Sequence, residues 1–415
     1  MSSKGVRAIC LAAGLCAAGN VFALPFSSFD PRSFAMGGTG VASGTSSNAV
    51  FFNPALLAAA REDEDFSLDV PIMGARFSDP DDLISAADDF SQANYVANFN
   101  NALNQLTTFP GPGSEAALQV AAQALSDGLV TLSDKAVQFD GAVAGVMGIP
   151  SKKVGISVYT SAYVVGGGVA HYSAADKAVL DSIVASPSTW AATNCTPTCS
   201  YTLTSSVDGR FLMIQELGVS VAHEFSLADH AISVGVTPKV MKATSYDYNF
   251  SGNSLDNANI DINTNEKSET AFNMDVGVAK EYGNGWKTGL AVKNLISHDF
   301  TTYLGNTITV KPQARLGISH QTDWTTVALD VDLTENDPAG FEYKTQFVAL
   351  GAEFDVFDTV QLRVGYRNNL SDTGSAASDS ISAGIGFSPF GVHFDFAAEG
   401  NADEVGAALQ FGFRF

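Results

Sequence analysis

The sequence predicts an all-β protein, a transmembrane antiparallel β-barrel of about fourteen strands. Three observations carry that expectation. Apolar residues alternate with polar or small ones in successive runs from about Val137 to the last residue. The connections between those runs are short and long by turns. The first residues form a secretory leader, which sends the chain out of the cytoplasm.

The leader opens the chain. Lys4 and Arg7 precede an apolar stretch from Ala8 to Ala18, and Val21-Phe22-Ala23 ends in a small residue suited to cleavage. That stretch is too short for a bilayer, which needs about 20 residues. Residues 1–23 are therefore expected to be a signal peptide. Loss of Lys4 and Arg7 takes the formal charge from −22 to −24. So acidic a chain is a poor partner for nucleic acid or for anionic lipid surfaces. A hydrophobic fraction of 46% against 16% charged residues rules out disorder.

Strands are expected near 65–76, 137–149, 154–165, 210–225, 231–243, 268–281, 286–297, 310–321, 324–333, 343–357, 360–370, 379–388, 391–399 and 404–415. In the run from Val360 to Arg367, Val360, Leu362, Val364 and Tyr366 share one parity, and Gln361, Arg363 and Arg367 the other. Successive side chains on a strand point to opposite faces, so each run has one greasy and one wet side. A soluble sandwich would alternate as well. The connections discriminate: 150–153, 226–230, 283–285, 323, 358–359 and 389–391 are short, whereas 77–136, 166–209, 244–267, 298–309 and 334–342 are long. Outer-membrane barrels sort their loops in this way, short on the periplasmic side and longer outside. Hydrocarbon offers no partner to an open sheet edge, so a spanning sheet must close on itself. The wet parity then faces the lumen, where Asp330, Asp332, Arg363, Arg367 and Asp395 are candidates for paired or hydrated groups. The charge-free stretch Val154 to Ala175 could span as a helix, but its Ser157, Thr160, Tyr159, Tyr163 and three glycines suit a strand and loop better.

Residues 81–136 read as a helical insertion in the first long connection. Leu118, Ala121, Ala122, Leu125, Leu129 and Leu132 recur at helical spacing after Pro110-Gly111-Pro112-Gly113. Cys10 and Cys16 leave with the leader, and the remaining exported pair, Cys195 and Cys199, is expected to close a small disulfide loop. No nearby ligands complete a metal site. The six histidines lack ligand spacing, and no nucleophile elbow or His-Glu-x-x-His motif occurs, so neither catalysis nor a cofactor is expected.

Two resemblances add to this reading. Leu409, Phe411, Phe413 and Phe415 lie on one face, and this ending resembles the aromatic terminal strand recognised by barrel-assembly machinery. Near the amino end, Met36-Gly37-Gly38-Thr39-Gly40-Val41 leads into Phe52-Asn53-Pro54-Ala55. The glycines lack the Lys-Ser/Thr pair of a phosphate loop. The stretch over 33–57 resembles the hatch of FadL-type outer-membrane transporters instead. It implies that residues 24–64 form a plug, with Asn53, Pro54 and Ala55 as its motif, inside the barrel of residues 65–415. The stretch from Leu57 to Asp69, with Pro80-Asp81-Asp82-Leu83, is similar to the branch labelled conjugal-transfer TraF-like, although the thioredoxin-like transfer protein of that name would lack the strand pattern. Loop parity places the helices of 81–136 in the first extracellular loop; the resemblance implies that such a loop can give substrate an apolar landing site, and the alternative is that the apolar stripe packs on the barrel rim. The function expected is passive uptake of a hydrophobic small molecule, of fatty-acid or hydrocarbon class, across the outer membrane of a Gram-negative cell. A non-transporting surface scaffold and a general porin are the alternatives.

Overall fold

The computed structural model describes residues 29–59, 65–195, 199–227, 230–251, 265–336, 344–357, 359–371 and 379–415. The signal peptide expected over 1–23, and residues 24–28 and 60–64 of the expected plug, lie outside them. Sixteen strands occur among the described residues: β1 (Ser67–Ser78), β2 (Ala136–Ile149), β3 (Gly155–His171), β4 (Ser206–Leu227), β5 (His230–Ser251), β6 (Glu266–Glu281), β7 (Trp286–Lys293), β8 (His298–Thr301), β9 (Thr307–Val310), β10 (Gln313–Gln321), β11 (Thr325–Asp332), β12 (Phe347–Val356), β13 (Val360–Asn369), β14 (Asp379–Phe387), β15 (Val392–Gly400) and β16 (Glu404–Arg414). Fourteen of them close into an antiparallel barrel in chain order, and β8 and β9 form a separate hairpin. Closure joins β1 to β16, with Ile72 opposite Gln410 and Ser78 opposite Glu404. Neither edge is left open.

The barrel strands follow the expected ones one for one, with shifted ends. β7 stops at Lys293, short of the expected 297, and β10 starts at Gln313, later than the expected 310. In the other direction, β3 and β4 run into the expected 166–209 loop, and β5 and β6 into 244–267. The helical alternative for 154–175 fails, because Gly155–His171 pairs with β2 on one side and β4 on the other. The hairpin β8–β9 occupies what was expected to be a plain loop. One link, 401–403, is short at the end where the others are long.

The faces divide as the alternation requires. On β13, Leu362, Val364 and Tyr366 are 47%, 53% and 41% exposed, while Gln361 and Arg363 are 7% and 6%. A closed sheet that is apolar outside and polar inside fits lipid, with the aqueous groups in its lumen. Among the described residues no helix is long and apolar enough to cross a membrane. Trp286, Trp324, Phe357, Phe390 and Phe415 are exposed at the short-turn end, where aromatic rings suit the boundary between lipid and water. β4 and β5 have 22 residues each, about twice the 9–11 that a tilted strand needs to span. One side of the wall therefore stands tall above the bilayer.

Helices fill two long connections. Leu83–Gln92, Tyr95–Thr108 and Pro112–Leu132 lie between β1 and β2, and Ala174–Ala185 and Pro187–Asn194 between β3 and β4. The predicted stripe does not simply cover the rim. Leu118, Ala122, Leu125 and Leu129 pack with Phe99, Leu180, Ile183 and Trp190 into a helical core of their own. The Cys195 and Cys199 sulfurs lie 2.09 Å apart beside it. Asp176 ties this core to the start of β4: it accepts from Tyr201 Oη at 2.6 Å, Thr204 N at 2.9 Å and Ser205 N at 2.6 Å. Burial alone would push the Asp176 carboxyl up, but the donors of Ser205, Tyr201 and Thr204 outweigh it and hold the group below its ordinary value.

A carboxyl with a lowered folded-state pKa stabilises above its unfolded value, near 3.9, and the contribution is lost as pH falls through the folded value. Limited proteolysis of the 172–205 segment should therefore be unchanged from pH 8 to 5 and rise below about 4. Asp176→Ala should show the sensitive behaviour already at neutral pH, at a cost of about 1.5–3 kcal/mol for the lost charged hydrogen bonds.

Candidate functional site

The lumen holds the amino-terminal segment. Residues 29–59 fold into two short helices, α1 (Pro31–Ala35) and α2 (Ala49–Phe52), followed by a tight helical turn at Pro54–Leu57. Asp30 caps α1, accepting from Ser33 N at 2.9 Å, and receives Asn48 Nδ2 at 2.8 Å. Pro31 and Pro54 occupy first-turn positions, where a missing N–H costs nothing. Phe34, Met36, Phe52, Leu56 and Leu57 are fully buried.

Asn53 works on three backbone groups. Its Nδ2 donates to Val41 O at 2.9 Å and to Val278 O of β6 at 3.1 Å, and its Oδ1 accepts from Ala55 N at 3.1 Å. Pro54 and Ala55 start the turn that packs on β5 and β6. The wall makes room for them: a Cβ at Gly277 would overlap the Asn53 side-chain oxygen, and one at Gly365 would overlap Gly37 N. Glycine is required at both by close approach of backbone to wall.

Carboxylates and guanidiniums complete the attachment. Gly40 N and Val41 N donate to Asp330 Oδ2 at 2.8 and 3.0 Å. The glycine-rich loop is thus an anion-binding turn that receives a carboxylate of its own chain. Arg32 grips Glu353 with both prongs, at 2.9 and 2.8 Å, and Glu353 also accepts from Arg363 Nε at 2.6 Å. Arg363 reaches on to Asp395. Asp332 accepts from Arg315, and Arg367 pairs with Glu404 at 2.8 Å. The five residues singled out in the strands, Asp330, Asp332, Arg363, Arg367 and Asp395, all lie on the inner wall, although not in one network. Phe411 and Phe415 are exposed on the outer face, and Phe413 meets Phe411 edge to face at 5.2 Å.

Sequence reasoning did not single out Arg32, Glu353, Lys239 or the His393–Asp69 pair. Lys239 is buried between Glu216 and Asp275, both at 3.0 Å. Inward parity was the available signal for Glu353, Lys239 and the His393–Asp69 pair, and Arg32, on the helix Pro31–Ala35, had none; partners on distant strands become visible only once the barrel closes.

Two cavities flank the segment. One of about 550 Å³ lies toward the short-turn end, lined by polar groups such as Ser47, Lys287, Gln321, Glu353 and Arg414. The other, about 90 Å³, lies between Phe29 and Phe51 on one side and Tyr163, Ile214, Lys293 and Gln313 on the other. Beyond it, β8–β9 packs against the tall wall: Val165, Leu212, Ile214, Met241, Phe300, Ile308 and Val310 form a buried apolar cluster. Among the described residues no group of His, Cys, Asp and Glu could hold a metal ion.

A family model described as "F plasmid transfer operon, TraF, protein" matches residues 50–332. No curated protein matches the sequence. Among solved structures, a deltaS2S3 mutant of the TodX monoaromatic hydrocarbon channel aligns with a TM-score of 0.52 at 9% identity, covering 93% of this chain and 98% of that one. The Ralstonia pickettii toluene transporter TbuX aligns with a TM-score of 0.50 at 14% identity, over 94% of this chain and 99% of that one. At such identities the likeness establishes a shared fold.

Glu353→Ala would leave Arg32 and Arg363 without their shared carboxylate in a buried site. We expect it to destabilise the folded barrel by about 3–5 kcal/mol, against much less for an exposed pair such as Lys177–Asp181. The readout is the temperature at which folded protein loses its compact migration in a denaturing gel.

Proposed function

This chain belongs to the TraF family of the F plasmid transfer operon, built on the barrel fold of hydrocarbon channels, and on that premise we propose that it is an outer-membrane channel for small hydrophobic molecules. The observation that carries the reading is the apolar cluster of β8–β9 and the tall wall inside the barrel, on the long-connection side. A pore for polar solutes would keep that part of its lumen wet. Here its side chains are packed against one another, and cargo gains apolar contact, at roughly 25 cal/mol per Å², where the β8–β9 hairpin gives way to it.

In this reading the long connections face outward, the helical core is an extracellular loop, and residues 29–59 are the plug. Cargo of hydrocarbon or fatty-acid class meets the apolar cluster first and is held above the plug. It passes when the plug shifts, drawn by its concentration gradient. No covalent chemistry and no cofactor take part. The terminal Phe411, Phe413 and Phe415 would serve recognition by the barrel-assembly machinery, and lipid is the standing partner of the outer wall.

A second reading has one observation in its favour. The chain Arg32–Glu353–Arg363–Asp395 fastens the inner segment firmly, as a rigid surface scaffold would need. Deleting residues 24–60 separates the two: a plugged channel becomes a conducting pore in planar bilayers, whereas a filled scaffold stays nearly silent. We expect conduction. Uptake of labelled toluene and of a labelled long-chain fatty acid should be faster in cells bearing the protein than in cells without it; equal rates for both compounds would remove the proposal.

A further inference from the structure

The ladder of the wall is interrupted in the first strand. Asp69 of β1 lies opposite Val146 of β2, but Ile72 lies opposite Ala144, so Val70 and Pro71 together face the single residue Gly145. On the other side the same two residues face the single Phe411 of β16. This is a β-bulge, and Pro71 suits it because proline has no N–H to give a ladder. Val70 is turned outward and exposed, and a Cβ on Gly145 would come within 2.9 Å of its Cγ2. Beside this ridge the outward positions are small, with Gly145 on β2 and Thr160 and Ala162 on β3. A groove of about 520 Å³ results on the lipid-facing side, edged by Val70, Pro71, Met147 and Leu217.

The groove leads down to a basic turn. From Val143 to Ile149 the strand runs about 20 Å at roughly 3.3 Å per residue. At the usual tilt of roughly 40° that is about 15 Å of depth, one leaflet of a hydrocarbon core of about 30 Å. Just past Ile149 come Lys152 and Lys153, both exposed. None of the other short connections, 226–230, 283–285, 323, 358–359 and 389–391, carries a lysine or an arginine. The chain as a whole is acidic, and this turn is a local exception. It is also held in place: Glu224 N donates to Lys152 O at 3.0 Å, and His223 Nδ1 contacts Lys153 O, so β4 fixes the turn beneath the groove that it helps to line. Glu224 is the carboxylate nearest in sequence on that strand.

We propose that the groove and this turn form a binding site for one anionic phospholipid of the periplasmic leaflet, of which phosphatidylglycerol is the simplest case. One acyl chain lies over Gly145, Thr160 and Ala162 beside the Val70–Pro71 ridge, and the phosphate pairs with Lys152 and Lys153. The acyl chain gains little by leaving its neighbours, because lipid tails are as apolar as the groove. The two lysines supply the selectivity for an anionic headgroup, and the groove supplies the position. A chain seated there also covers the stretch where the ladder is broken. The site is on the outside of the wall, apart from the cargo path of the proposed channel. It takes from that reading only the orientation, with the short turns toward the periplasm.

The experiment titrates the intact protein in detergent with dioleoylphosphatidylglycerol and, separately, with dioleoylphosphatidylethanolamine, and counts bound lipids by native mass spectrometry. The first phosphatidylglycerol is expected to bind roughly tenfold or more tightly than the first phosphatidylethanolamine. The double variant Lys152→Gln/Lys153→Gln should erase that preference. Ala162→Phe fills the groove from a lipid-facing position and should weaken phosphatidylglycerol binding several-fold. Lys280→Gln, at a lysine near the same end that sits over the Tyr282 ring, should leave it unchanged. Equal binding of the two lipids to the unaltered protein, a preference that survives the double variant, or binding untouched by Ala162→Phe would each overturn the assignment. The comparison on unaltered protein decides even where a variant fails to fold. If toluene uptake is absent and the lipid preference present, the channel reading falls and the lipid site stands. If uptake persists without the preference, the lipid site alone falls.

Discussion

Backbone amides surrounded by hydrocarbon have no water to turn to, and leaving one unpaired costs several kcal/mol. A chain that crosses as extended strands must therefore pair every strand on both sides. Here the demand is met where β1 meets β16 along almost their whole length, carrying the terminal Phe415 into hydrogen bonds with Phe66. Once the ring closes, period-two alternation has a single consequence. One parity meets lipid, and everything polar is gathered inside.

That gathering sets the character of the interior. Charges moved out of water must be paired to be tolerable, and the lumen pairs them across strands far apart in sequence: Arg32 with Glu353, Arg76 with Asp140, Lys239 with Glu216 and Asp275. The inner segment shares in this economy instead of merely filling space. Its glycine-rich loop gives two N–H groups to Asp330, its Asn53 bonds a strand carbonyl, and wall glycines let it lie close. A polar cavity lies below it, and above it the apolar cluster at β8–β9 stands beside charged pairs such as Arg76–Asp140 and Arg367–Glu404.

Much of this was legible in the residues. Strand number, loop parity and the inward set Asp330, Asp332, Arg363, Arg367 and Asp395 follow from alternation, which is a local property. The motif Asn53-Pro54-Ala55 was legible through resemblance. What escaped were features set by distant pairing. The hairpin β8–β9 is too short to register as a run, with four residues in each strand. Strands β3 to β5 outrun their expected ends because their upper parts face the helical core and the hairpin, and the simple lipid-and-lumen alternation fades there. The stripe at Leu118 to Leu132 was visible as a stripe, but what covers it depended on helices sixty residues further on. Lys239 and Glu353 were visible as charges in strands, and only closure reveals their partners.

The account stands most directly on the seam between the first and last strands. Hydrogen–deuterium exchange of the protein in lipid nanodiscs measures it amide by amide. The account predicts that Ile72 to Ser78 and Glu404 to Arg414 exchange as slowly as β12 and β13. Fast exchange confined to those two strands would mean an open edge, and the closed barrel with its enclosed interior would be contradicted.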